Sequence, residues 1–145
     1  MIRRVGLLVI AGLLLSACGT VSAVSAMRTW VTQSNFHSSM QILTTDVRHS
    51  ASALRDVATS SASLHTVCAV LLVDTESANA SLPTPDDQST TLLSAAYTNL
   101  GAGANQCYKA GADPAARAAA IASLAKGLSK LAEATVRVDV VSLTH

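Results

Sequence analysis

The residues able to do covalent or metal chemistry are few: three cysteines, Cys18, Cys68 and Cys107, and four histidines, His37, His49, His65 and His145. His65 precedes Cys68 by about one helical turn, so with Cys107 the ligand types suit a three-coordinate zinc site. No fourth ligand is identifiable, and two thiols in an oxidising compartment pair with each other instead. Cys68 and Cys107 are therefore read as a disulfide, and no metal or cofactor is expected. His49 has Asp46 and Asp56 within a turn or two, which a solvated polar face explains. Asp74 and Glu76, two positions apart on a helix, point to different sides. Tyr97 and Tyr108 fall about three turns apart, on one face, where boundary packing with wet hydroxyls is the plain reading and a haem or ligand contact the sharper one. The serines include no nucleophile elbow of the Gly-x-Ser-x-Gly kind. No Glu-x-x-His pair marks a di-metal bundle. No catalytic residue is expected, and the chain is read as a non-enzyme.

The third cysteine belongs to a different pattern. Met1-Ile-Arg-Arg4 is a short positive stretch, Val5–Leu14 an apolar run, and Leu15-Ser16-Ala17-Cys18 closes it. The run is too short to span a bilayer, which takes roughly 20 apolar residues. The closing four residues resemble the lipobox of bacterial lipoproteins processed by signal peptidase II. That resemblance implies that Ser16 and Ala17 fit the peptidase and that the Cys18 thiol accepts a diacylglycerol. Cleavage then leaves Cys18 first in the mature chain, with acyl groups such as palmitate as its anchor. Two acyl chains hold a protein stably where one gives only marginal binding. The rival readings are an ordinary secretory signal with Cys18 incidental, and an uncleaved signal anchor. The implied location is the extracytoplasmic face of the cell membrane. Gly19 in place of an Asp resembles sequences passed on to the outer membrane in two-membrane cells.

At 145 residues the chain is one ordinary domain. Half of it is hydrophobic but only 3% is aromatic, so the apolar content is Ala, Val and Leu, suited to slim, closely packed helices. A formal charge of +1 with no cluster of Lys and Arg argues against nucleic acid as a partner. Thr20–Ala26 is an uncharged run of small residues, read as a tether that spans about 23 Å when extended. The expected division is thus a signal peptide over 1–17, the lipidated cysteine and tether over 18–26, and a helical domain over 27–145.

Periodicity fills that domain with helices. Phe36, Met40, Leu43, Val47, Ser50, Leu54 and Val57 alternate spacings of four and three along a helix predicted over 27–59. Trp30 and Val31 lie off this seam and suggest a loosely attached entry segment. Leu64, Cys68, Leu71, Thr75 and Ala78 continue the spacing over 62–80. After the prolines of Leu82-Pro83-Thr84-Pro85, Asp86 or Asp87 can cap a third helix to Ala110, with Leu93, Ala96, Leu100, Gly103 and Cys107 on one face. Gly101 and Gly103 fit a close helix crossing or a break. Asp113-Pro114 opens the fourth helix, whose seam is read as Ile121, Leu124, Leu128, Leu131, Thr135 and Val138. The alternation in Val136–Val141 has no partner strand and is read as the helix end or a frayed tail. The fold expected is all-α: an antiparallel four-helix bundle, or five helices if the first one kinks, with one inter-helix disulfide. To bring Cys68 and Cys107 level, the Ser81–Pro85 connector must climb about 13 Å across the bundle's end.

The whole mature chain resembles a group of small, Ala-rich actinobacterial lipoproteins and secreted proteins. These share a cysteine in one helix, a Leu-Pro-Thr-Pro-Asp connector, and a second cysteine before an Ala-rich last helix. Here those features are Cys68, Leu82–Asp86 and Cys107-Tyr108. The resemblance implies no activity and transfers no catalytic residue. The expected role is that of a lipid-anchored cell-envelope protein, a structural or interaction module that touches the membrane through its anchor and an envelope protein or the wall as partner. The alternative is a carrier or sensor of a small apolar ligand or haem inside the bundle.

Overall fold

A computed structural model describes residues 22–143; the segment 1–17 expected to be a signal peptide, Cys18 and His145 lie outside them. Every regular element among the described residues is a helix: α1 Ala23–Gln33, α2 Phe36–Arg55, α3 Ser61–Asn79, α4 Asp87–Lys109 and α5 Pro114–Leu143. None of these helices is long and apolar enough to cross a membrane.

Each boundary has a local cause. Ser22 opens α1 by accepting from the Ser25 amide, so Ala23–Ala26, expected in the tether, are helical. The helix predicted over 27–59 divides at Asn35, which takes a left-handed conformation (φ 49°) that Asn tolerates better than most residues. Of the two arrangements the sequence left open, the one with five helices is observed. Nor is the entry segment loose. Met27 is fully buried, Trp30 packs on Phe36 across the corner at 5.4 Å, and its indole nitrogen donates to the Ser81 carbonyl at 2.9 Å. The α2 seam is buried as far as Leu54, but α2 stops at Arg55 and leaves Val57 almost fully exposed. Asp56 ends it by folding its carboxylate onto the Ala58 amide and the Thr59 hydroxyl. At the start of α4, Asp86 accepts from the Ser89 amide and hydroxyl at 2.8 and 2.7 Å. Pro114 stands at the first position of α5, with Asp113 accepting from the Ala115 amide. The alternating tail is helix through Leu143.

The helices pack into a bundle in which α4 and α5 share the most extensive interface, α3 lies against α4, and α2 touches both α3 and α5. The seam of α5 is rotated from the expected one. Ala120, Leu124, Gly127, Leu131, Ala134 and Val138 are buried, whereas Ile121, Leu128 and Thr135 are only half-buried. Ala and Gly alternate with Leu124, Leu131 and Val138 on this face, which lets the two helices meet closely, while Ile121 and Leu128 lie at the flank.

Arg117 joins the two connectors at one end of the bundle. Although 7% exposed, it has no carboxylate partner among the described residues. Its guanidinium donates to the carbonyls of Gly111 at 2.7 Å, Asp56 at 2.8 Å and Thr59 at 3.0 Å. Asp56 and Gly111 follow the ends of α2 and α4, where helix dipoles favour a cation.

Candidate functional site

The sequence singled out residues that the fold sends to separate places. Cys68 and Cys107 meet in the core, fully buried and at disulfide distance, with Cα atoms 5.8 Å apart. His65 does not join them. Its ring stacks on that of Tyr108 at 4.3 Å on the outer side of the α3–α4 interface. Among the described residues no group of three His, Cys, Asp or Glu could hold a metal ion. His37 comes within 3.9 Å of Asp139 with both side chains largely exposed, a weak contact.

The two tyrosines part company. Tyr108 stays exposed, but Tyr97, expected to keep its hydroxyl wet, is 3% exposed, and its hydroxyl has no hydrogen-bond partner. Burial pushes its phenol well above the ordinary tyrosine range.

Of the acidic neighbours suggested for His49, only Asp46 stays beside it, since Asp56 is committed to its own turn. The fold adds a partner that no spacing revealed, because Asp46 on α2 lies against Asp74 on α3. Burial first, then the Asp74 side chain, push the Asp46 carboxyl above the usual carboxylate range, and the charge of His49 pulls it back in part. Two carboxyls from different helices could be found only from a known helix pairing. Ser123 and Lys126 hold the Ser-x-x-Lys spacing of some acyl-transfer nucleophiles, yet the Ser123 hydroxyl donates to Gln106 at 2.8 Å in an exposed setting on the flank of the bundle.

A concavity lies between α2 and α5. One hollow of about 620 Å³ is lined by His37, Met40, Arg48, Leu131, Val136 and neighbours. A second, of about 180 Å³, shares Arg48 and Leu128 with the first, and a third, of about 240 Å³, shares Arg55 and Ile121 with the second. Together they form one open groove along both helices. Its walls follow helical repeats: Gln41, Thr44, Arg48, Ala51 and Arg55 from α2, and Ile121, Ala125, Leu128, Ala132 and Val136 from α5. The groove exists because α5 turns its closest-packing face to α4, which leaves its mid-sized apolar residues beside a polar row of α2.

No family model matches the chain, and neither a curated protein nor a solved structure matches it. The residues and their geometry therefore carry the functional reading.

Proposed function

We propose that this chain is a lipid-anchored cell-envelope protein, held on the extracytoplasmic face of the membrane through Cys18 and acting as a non-enzymatic interaction module. The observation that carries the reading is the sequence Leu15-Ser16-Ala17-Cys18 behind a positive start and a short apolar run. Because α1 begins at Ala23 and Met27 is already buried, little chain separates Cys18 from the bundle. A partner must then be met at or near the membrane surface.

We further infer the architecture of the module: α2 to α5 form an antiparallel four-helix bundle, with α1 as an additional helix against α5 and α2. Supporting this, Asp86 at the start of α4 pairs with Arg137 late in α5, while Gln106 late in α4 bonds Ser123 early in α5. Arg117 early in α5 reaches the end of α2, and Cys68 in the first half of α3 meets Cys107 late in α4.

The test of the anchor is a Cys18→Ala substitution in the full chain, followed by labelled fatty acid and by size. An unprocessed precursor with no label supports the reading. A chain cleaved and released at the normal rate points to an ordinary secretory signal instead.

A further inference from the structure

We propose that the groove between α2 and α5 binds a long-chain carboxylate, its hydrocarbon on the apolar floor and its head on Arg48 or Arg55. This goes beyond the anchor and does not depend on Cys18.

The size of the groove favours a small amphiphile. Its largest hollow, about 620 Å³, falls within the about 300–1,000 Å³ typical of small-molecule sites. A helix with side chains is about 10 Å across, and α2 and α5 already touch, so a peptide helix has no seat between them. A hydrocarbon chain is thin enough to lie in the hollow. Met40, Leu128 and Leu131 supply its floor, where each buried methylene contributes about 0.8 kcal/mol.

The charge of the groove favours an anion. None of the described residues lining the three hollows is Asp or Glu, whereas Arg48 and Arg55 each line two of them. Both arginines are exposed, and neither is engaged in an ion pair among the described residues. A guanidinium fork matches a carboxylate in two parallel hydrogen bonds. The buried arginine of the third hollow, Arg117, is already committed to three carbonyls and leaves the head group to the other two.

The experiment uses the full chain in phospholipid nanodiscs with a photoactivatable palmitate, cross-linked by light and mapped by mass spectrometry of the digest. Label is expected on peptides of α2 and α5 that line the groove, displaced by excess palmitate but not by its methyl ester. Arg48→Glu with Arg55→Glu is expected to lower this label roughly tenfold, the scale of one lost charge-assisted contact. Ala132→Trp, which fills the largest hollow from an exposed position, is expected to do the same, with melting curves showing both variants folded. The proposal is overturned by label that survives both variants, by equal competition from the methyl ester, or by no label on either helix. Label confined to Val140 and Leu143, which lie outside the groove and are exposed, also overturns it, since that stripe would then be touching the bilayer. Acylation of Cys18 is read on a different peptide of the same digest, so failure of the anchor and failure of the groove are separate results.

Discussion

Leu124 occupies the space that a side chain on Gly103 would need. A Cβ at Gly103 would stand 2.7 Å from Leu124 Cδ2 and 3.0 Å from its backbone nitrogen. The relationship is reciprocal one turn along, where a Cβ on Gly127 would stand 2.6 Å from Leu100 Cδ2 and 2.9 Å from its backbone nitrogen. Two Leu-x-x-Gly segments thus interlock, each leucine over the other helix's glycine. That lets α4 and α5 approach more closely than Ala-sized contacts allow, and offsets the helix-propensity cost of about 1 kcal/mol per glycine. Gly103→Ala and Gly127→Ala are each expected to destabilise the bundle by about 1–3 kcal/mol through overpacking against backbone. Gly101→Ala, whose Cβ meets nothing within 4 Å, is expected to stabilise it by about 0.5–1 kcal/mol. Urea midpoints of the three variants check this, and the same sign at Gly101 and Gly103 would contradict it.

Reduction of the Cys68–Cys107 pair is expected to lower the melting midpoint by more than about 10 °C without changing the helical type. A cross-link spanning 39 residues contributes about 4 kcal/mol by chain entropy, and domains near this size shift by roughly 2–8 °C per kcal/mol. The measurement is a circular-dichroism melt of the parent beside the Cys68→Ala, Cys107→Ala double variant. A shift under about 3 °C would mean that the helices hold together without the bond.

Asp86 and Asp46 should give pH slopes of opposite sign. The Arg137 guanidinium, with Ser89, holds the Asp86 carboxyl well below the usual range, so its stabilisation is present above the ordinary value of 3.8 and lost as pH falls. Asp86→Ala is therefore expected to cost about 1 kcal/mol or more at pH 7 from the lost cap, with the deficit shrinking toward pH 2. Asp46 is raised, so its folded form prefers the proton and stability falls as pH rises from 3.8 through the raised value. Asp46→Asn is expected to stabilise at pH 7, with that gain vanishing at about pH 3. Melting midpoints across pH 2–7 decide both.

Arg117→Met is expected to cost about 2–4 kcal/mol, since three carbonyls at one end of the bundle lose their donor together. Arg117→Lys should recover only part of this, because one ammonium cannot reproduce the fork. Equal stability of the lysine variant and the parent, measured by urea unfolding, would contradict the bridging role.

What the sequence made legible follows from where one chemical pattern had one physical outcome. The four-three spacing from Phe36 to Leu54 and from Leu64 to Ala78 marks faces that are buried, and Asp86 and Asp113-Pro114 open helices as capping chemistry requires. The break at Asn35 was open because asparagine is tolerated within helices and becomes a breaker only when Trp30 and Phe36 have a corner to pack around. Half of the α5 seam, Leu124, Leu131 and Val138, is buried as its spacing implies, but Ala120, Gly127 and Ala134 take the places of Ile121, Leu128 and Thr135, because a close crossing favours small residues between the larger ones. Arg117, the Asp46–Asp74 pair and the α2–α5 groove were hidden because each joins residues from helices whose pairing no local spacing encodes.

The anchor at Cys18 is the claim on which location and partner both depend. Its most direct measurement is the mass of the N-terminal peptide from the full chain, expressed in a bacterium and extracted from the membrane in detergent. The account expects a peptide that begins at Cys18 and carries the added mass of a thioether-linked diacylglycerol. A peptide that begins at Cys18 with an unmodified thiol, or one that still carries residues 1–17, would contradict it.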